Sequence, residues 1–134
     1  MTLNRLLSTS AYPTQGVELS AVEWQANTQY KNGYAVETDV IVWYWEVVNE
    51  FSGEERAKLL RFATARRRLP LGGFANLSPS FSIVRATREN ADDDQAKPTA
   101  HTCFNQLVLP AYSTKELLRE QLVSVLEIDA FGFL

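Results

Sequence analysis

Between Val40 and Phe51 the apolar residues Ile41, Tyr44, Trp45 and Val48 recur at helical spacing, and Trp43, Val47 and Phe51 widen the stripe around most of the circumference. The pattern predicts a helix buried on most sides, its large aromatics serving as anchors of a hydrophobic interior rather than as a ligand platform. Ser52-Gly53-Glu54-Glu55 then reads as a capping box, opening a second helix that runs through Ala57, Leu59, Leu60, Phe62 and Ala63 towards Arg66. Leu69-Pro70-Leu71-Gly72-Gly73-Phe74 cannot prolong it, because Pro70 has no N–H and the two glycines allow positive φ.

Beyond that turn, Phe81-Ser82-Ile83-Val84-Arg85 alternates enough for a strand, and Glu89 to Asp94 is a polar loop. Gln106-Leu107-Val108-Leu109-Pro110-Ala111-Tyr112 reads as a short strand closed by Pro110. Ser113-Thr114-Lys115-Glu116 forms a further capping box before a last helix whose apolar face is Leu117, Leu118, Leu122, Val125 and Leu126. At the other end Tyr12 to Gly16 is a loop, and Ser20-x-x-Glu23 is a capping box opening a short helix around Trp24. The sum is an α+β fold, helices packed on a small β-sheet, with strands around a glycine turn. A chain of 134 residues fits one domain and buries roughly two thirds of its unfolded surface.

Thirteen basic against sixteen acidic residues leave no positive excess for a nucleic-acid backbone. No apolar run approaches the roughly 20 residues of a membrane span, and Met-Thr-Leu-Asn-Arg lacks the apolar core of a signal peptide. A location in the cytoplasm or nucleus is the expectation. One cysteine cannot form an internal disulfide, and with one histidine it falls short of a zinc ligand set. Asp92-Asp93-Asp94 lack the spacing and glycine of a calcium loop, and Leu71-Gly72-Gly73 is followed by no Gly-Lys-Ser/Thr. No metal or cofactor is therefore expected. Arg66-Arg67-Arg68 complement the C-terminal dipole of the second helix, as a solvated face or as a dock for an acidic partner.

The single cysteine and the single histidine meet in Pro98-Thr99-Ala100-His101-Thr102-Cys103-Phe104-Asn105. Cys103 is expected on a loop before a strand, where reactive groups are commonly displayed. A thiol of ordinary pKa is only a few per cent thiolate at pH 7, so an attacking cysteine must be exposed and aligned. His101 is two residues away, nearly 7 Å in extended chain, which leaves it either a base on a bent loop or a loop-bracing residue. A cysteine peptidase would need a histidine converging from elsewhere, and the chain has none. Asn105 is placed to hold the loop through side-chain to backbone hydrogen bonds.

The run Pro98 to Leu107, followed by Leu109-Pro110 and Tyr112, resembles the active-site segment of HECT-type ubiquitin ligases. Trp43-Tyr44-Trp45-Glu46-Val47-Val48, Arg61-Phe62-Ala63-Thr64, Leu69 to Phe74 and Phe131-Gly132-Phe133-Leu134 fall in the order and spacing of that family's C-terminal lobe. The resemblance implies that Cys103 accepts ubiquitin from a conjugating enzyme as a thioester and passes it to a substrate lysine. His101, Thr102, Phe104 and Asn105 would seat the ubiquitin tail or support the loop. Phe131 would either dock on this lobe's own core or bridge lobes during ligation. It further implies that 1–34 are the tail end of an N-terminal lobe whose larger part, with the conjugating-enzyme dock, is missing, that 35–39 are the inter-lobe hinge, and that 40–134 are the C-lobe. Glu127 and Asp129 are candidates to assist a lysine nucleophile, or ordinary helix-end charges. Lys97 departs from the pattern, which has an apolar residue before the proline. The implied partners are ubiquitin, the conjugating enzyme and protein substrates, with no nucleic acid and no membrane. The competing reading is a non-catalytic ubiquitin-binding or protein-interaction module.

Overall fold

The computed structural model describes residues 19–87 and 92–130. Among the described residues four α-helices, α1 (Ala21–Ala26), α2 (Asp39–Glu50), α3 (Gly53–Thr64) and α4 (Lys115–Ala130), accompany four strands, β1 (Gln29–Lys31), β2 (Ser82–Arg85), β3 (Thr99–His101) and β4 (Gln106–Leu109). The strands form one mixed sheet in the order β1-β2-β4-β3, with β1 and β4 parallel to the central β2 and β3 antiparallel to β4. The expected α+β class is what the chain adopts.

Local chemistry sets the helix ends. Ser52 Oγ accepts from the Glu55 N–H at 3.1 Å while the Glu55 carboxylate accepts from the Ser52 N–H at 2.8 Å, so both halves of the expected capping box are made. At α4 the cap is Thr114, one residue later than the pattern suggested; its Oγ1 accepts from the Leu117 N–H at 3.1 Å. Ser113 is drawn off instead by Asp94, whose carboxylate accepts from its N–H and its hydroxyl at 2.8 and 2.7 Å. α3 stops at Thr64 because Ala65 turns left-handed, with φ 63°.

The glycine turn does not join two strands, as the sequence reading had it. Gly72 and Gly73 take φ of 90° and 81° and lead into a 3-10 turn, Gly73–Asn76, which drops Phe74 into the core. A Cβ on Gly72 would collide with Asn76 Nδ2, which itself bonds the Leu71 carbonyl. The sheet is completed instead by β1 and β3. Each has three residues, too few for alternation to be read.

The core joins all of these elements. Trp24 is fully buried, stacked on Phe74 with centroids 4.9 Å apart and edge-on to Phe81 at 5.3 Å and Trp45 at 6.1 Å. Residues 19–34, read from sequence as the end of another lobe, thus share one cluster with Ile41, Leu59, Ile83, Leu107 and Leu122. Arg56 fastens the same segment, donating to the Leu19 carbonyl as well as to Val48 and Asn49 at the open end of α2. Of residues 35–39, read as the hinge, 35–38 form a turn and Asp39 opens α2: the Ala35 N–H donates to Thr38 Oγ1 at 2.9 Å and the Thr38 N–H returns to the Ala35 carbonyl at 3.1 Å.

Buried phenols make this core sensitive to alkali. The Tyr34 hydroxyl donates to the Leu109 carbonyl at 2.7 Å, and burial pushes its pKa, like that of Tyr44, far above the ordinary value of 10.0. Tyr30 is also raised by burial, partly opposed by the hydrogen bond from Trp45. Unfolded tyrosines ionise from about pH 10 while the folded ones do not, so this contribution is complete below pH 10 and lost above it. The denaturation midpoint should therefore hold below pH 10 and decline above it, less steeply in Tyr34→Phe. A midpoint independent of pH from 9 to 11.5 would contradict this.

Candidate functional site

β3 and β4 form a hairpin paired from Thr99 opposite Val108 to His101 opposite Gln106, which leaves Thr102 to Asn105 as the connecting loop. Thr102–Phe104 make a 3-10 turn and Asn105 closes it in the left-handed region, φ 51° and ψ 49°. Asparagine suits that position because its short amide tolerates positive φ and can bond locally. Cys103 stands at the exposed tip as a free thiol, beside Phe104, which is 62% exposed.

The tip is exposed but its base is fixed. Asn105 is only 3% exposed, and its Nδ2 donates to the Pro79 carbonyl at 2.7 Å. Its N–H donates to the Thr102 carbonyl at 3.2 Å, and its own carbonyl accepts from the Ser82 N–H at 3.1 Å. Gln106 Nε2 adds a bond to Ser82 Oγ at 3.2 Å. The loop carrying Cys103 is thus tied to the start of the central strand, and the thiol sits on a turn whose backbone leaves it little freedom. Sequence reasoning named Asn105 as the brace; its partners Pro79 and Ser82 were not legible, since they lie 26 and 23 positions upstream.

The other expected residues are distributed unevenly. Thr102 is half-buried beside the thiol, whereas His101 is exposed at the end of β3, and among the described residues its imidazole has no hydrogen-bond partner. It is not joined to Cys103. Glu127 is exposed on α4, along a shallow groove with Glu116, Glu120 and Arg119 that shares no residue with the cysteine turn. Phe131 and the side chain of Asp129 lie outside the described residues. Among the described residues no three His, Cys, Asp or Glu side chains are placed to hold a metal ion, and no helix is long and apolar enough to cross a membrane. Chemically, the arrangement offers an accessible sulfur in a fixed orientation, without a base bonded to it.

Two substitutions separate what Asn105 contributes. Asn105→Ala removes the bond to Pro79 and places a Cβ-bearing residue without local compensation at positive φ, so a loss of about 2–4 kcal/mol is expected. Asn105→Gly keeps the backbone conformation at no steric cost and should lose about half as much. Chemical denaturation of both variants checks this; equal losses would show that the left-handed conformation costs nothing here.

Comparison with known proteins adds independent findings. The family model described as HECT-domain (ubiquitin-transferase) matches residues 2–134. The chain is similar to E3 ubiquitin-protein ligase HACE1 of Homo sapiens, 38% identical over 117 residues, which are 87% of this chain and 13% of that protein. It is similar to E3 ubiquitin-protein ligase pub3 of Schizosaccharomyces pombe, 38% identical over 116 residues, 87% of this chain and 14% of that one. With E3 ubiquitin-protein ligase RSP5 of Saccharomyces cerevisiae the identity is 37% over 116 residues, at the same two coverages of 87% and 14%. The chain therefore spans about an eighth to a seventh of the length of these curated relatives.

Proposed function

The chain belongs to the HECT-domain (ubiquitin-transferase) family, and from that premise we propose that it is a ubiquitin-protein transferase whose Cys103 accepts ubiquitin from a conjugating enzyme and hands it to a protein lysine. The observation that carries this reading is the free, exposed thiol on a hairpin turn braced by Asn105. In the first step Cys103 gives up its thiol proton to solvent and the thiolate attacks the incoming thioester carbonyl; a C–S bond forms to Cys103, and the C–S bond to the conjugating enzyme breaks, releasing its thiolate. In the second, an uncharged lysine amine attacks the Cys103 thioester; a C–N bond forms, the Cys103 thiolate leaves and the amine proton passes to solvent.

The first step exchanges one thioester for another of similar energy, so alignment of the two sulfurs matters more than a strong base. That matches a site with a fixed turn and no imidazole bonded to the sulfur. Phe104, apolar and exposed next to the thiol, is suited to cover the apolar part of an incoming ubiquitin tail. Thr102 and Asn105 hold the turn from either side, and His101 serves as a solvated neighbour of the site. The partners in this reading are ubiquitin, a conjugating enzyme and protein substrates.

Incubation of the chain with activating enzyme, conjugating enzyme, ATP and ubiquitin is the test. A ubiquitin adduct that disappears under thiol reductant is expected. A chain that binds ubiquitin but never forms such an adduct, even with a relative's N-terminal lobe fused before residue 1, would be a non-catalytic ubiquitin-binding module instead.

A further inference from the structure

Beside the cysteine turn lies a cleft of about 760 Å³ between the C-terminal end of α3, the start of β3 and α4. Its lining combines two kinds of group. Phe62, Pro98 and Val125 give it a half-buried to buried apolar floor, while Arg67 and Lys97 stand exposed on its rim. Thr102, the neighbour of Cys103, forms the wall next to the thiol.

Arg67 and Lys97 have no carboxylate partner among the described residues. Lys97 Nζ donates only to uncharged acceptors on α4, Gln121 Oε1 at 3.3 Å and Ser124 Oγ at 3.1 Å. Arg67 pairs with no carboxylate among the described residues, and Arg66 and Arg68 beside it are exposed and of the same sign. Paired cations exist elsewhere: Lys115 and Arg119 are held by Glu46 and Glu50 at 2.6 to 3.2 Å. An apolar hollow with Arg67 and Lys97 on its rim complements an apolar side chain flanked by carboxylates.

We propose that this cleft docks the acceptor protein, through a short segment carrying a bulky apolar residue between acidic ones. The inference rests on the transferase reading for its purpose. A segment seated there runs past Thr102, so that a lysine two or three residues further along, about 7–10 Å of extended chain, reaches the Cys103 thioester. The cleft thereby selects which lysines are modified. Those preceded by acidic and apolar residues are preferred, and those in basic surroundings are repelled by Arg67 and Lys97.

The binding half is tested without catalysis. A fluorescein-labelled peptide with a leucine-phenylalanine pair between two glutamates on each side is titrated with the chain, beside a version with glutamines for glutamates. The acidic peptide should bind at least 10-fold more tightly. The double reversal Arg67→Glu with Lys97→Glu should erase that advantage, whereas the distant reversal Lys31→Glu with Arg85→Glu should retain most of it. Equal affinity for the two peptides, or equal loss in both double variants, overturns the proposal. The functional half uses chain already charged with ubiquitin. Discharge onto a lysine extending the acidic peptide should fall about 10-fold in the Arg67→Glu, Lys97→Glu variant, with discharge onto free lysine unchanged; a parallel fall in both overturns selection by the cleft. Failure of the chain to charge even when a relative's N-terminal lobe is fused before residue 1 would refute the transferase reading instead, and the peptide titration would still decide the docking site.

Discussion

Cys103→Ala should abolish the ubiquitin adduct, and Cys103→Ser should replace it with one that survives thiol reductant. The chain has one cysteine, so no second thiol can take over, and loss in the alanine variant should be complete on a non-reducing gel. Serine at the same tip can still form an acyl bond, but as an oxygen ester, which thiols exchange far more slowly. It should accumulate slowly, because a hydroxyl is a weaker nucleophile than a thiol at neutral pH. An adduct of undiminished yield in Cys103→Ala would move the acceptor to another residue. His101→Ala gives a companion measurement. A positioned general base contributes typically 10²–10⁴-fold. With an exposed imidazole not bonded to the sulfur, the expected loss in charging rate is under 10-fold. A fall of about 100-fold or more would make His101 the base after all.

Trp24→Ala should destabilise the molecule as a whole. The side chain is fully buried and packs against Phe74, Phe81 and Trp45, and truncating such a residue costs about 3–5 kcal/mol. For a domain of this size that lowers the melting temperature by on the order of 15–20 °C. Among the described residues its indole N–H has no acceptor, so its contribution is packing rather than hydrogen bonding. Trp24→Phe, which keeps most of the ring contact, should lose only about a third as much. The informative readout is cooperativity. One transition that carries fluorescence, helicity and thiol protection together shows that residues 19–34 and the Cys103 hairpin form one unit. Two transitions, with the hairpin outlasting Trp24→Ala, would instead separate the segment before residue 35 from the lobe that carries the thiol.

The docking cleft and the cysteine turn share a wall at Thr102, and both lie against the end of α3. The turn is held from the central strand by backbone bonds, whereas the cleft is framed by long exposed cations. Charge at the rim can therefore change partner preference without disturbing the geometry of the thiol. Substitutions at Arg67 or Lys97 should act on acceptor choice, and substitutions at Asn105 on charging.

Sequence alone determined the parts whose cause is local. The helical spacing from Ile41 to Val48 is a property of one segment, and the Ser52–Glu55 capping box is made from four adjacent residues. Cys103 before a strand and Asn105 as its brace followed from residue types within one turn. Tertiary structure decided whatever depends on which distant segments meet. β1 and β3 are three-residue strands, visible only because β2 and β4 lend them hydrogen-bond partners. Asp94 draws Ser113 away from the helix cap, moving it to Thr114 by competition no local pattern reveals. Trp24 carries no sign in its own neighbourhood that it will stack on Phe74, fifty residues later, because burial is set by the sum of surfaces that fit together. The cleft beside the thiol likewise exists only where α3, β3 and α4 converge, and which of its cations face carboxylates depends on segments distant in sequence.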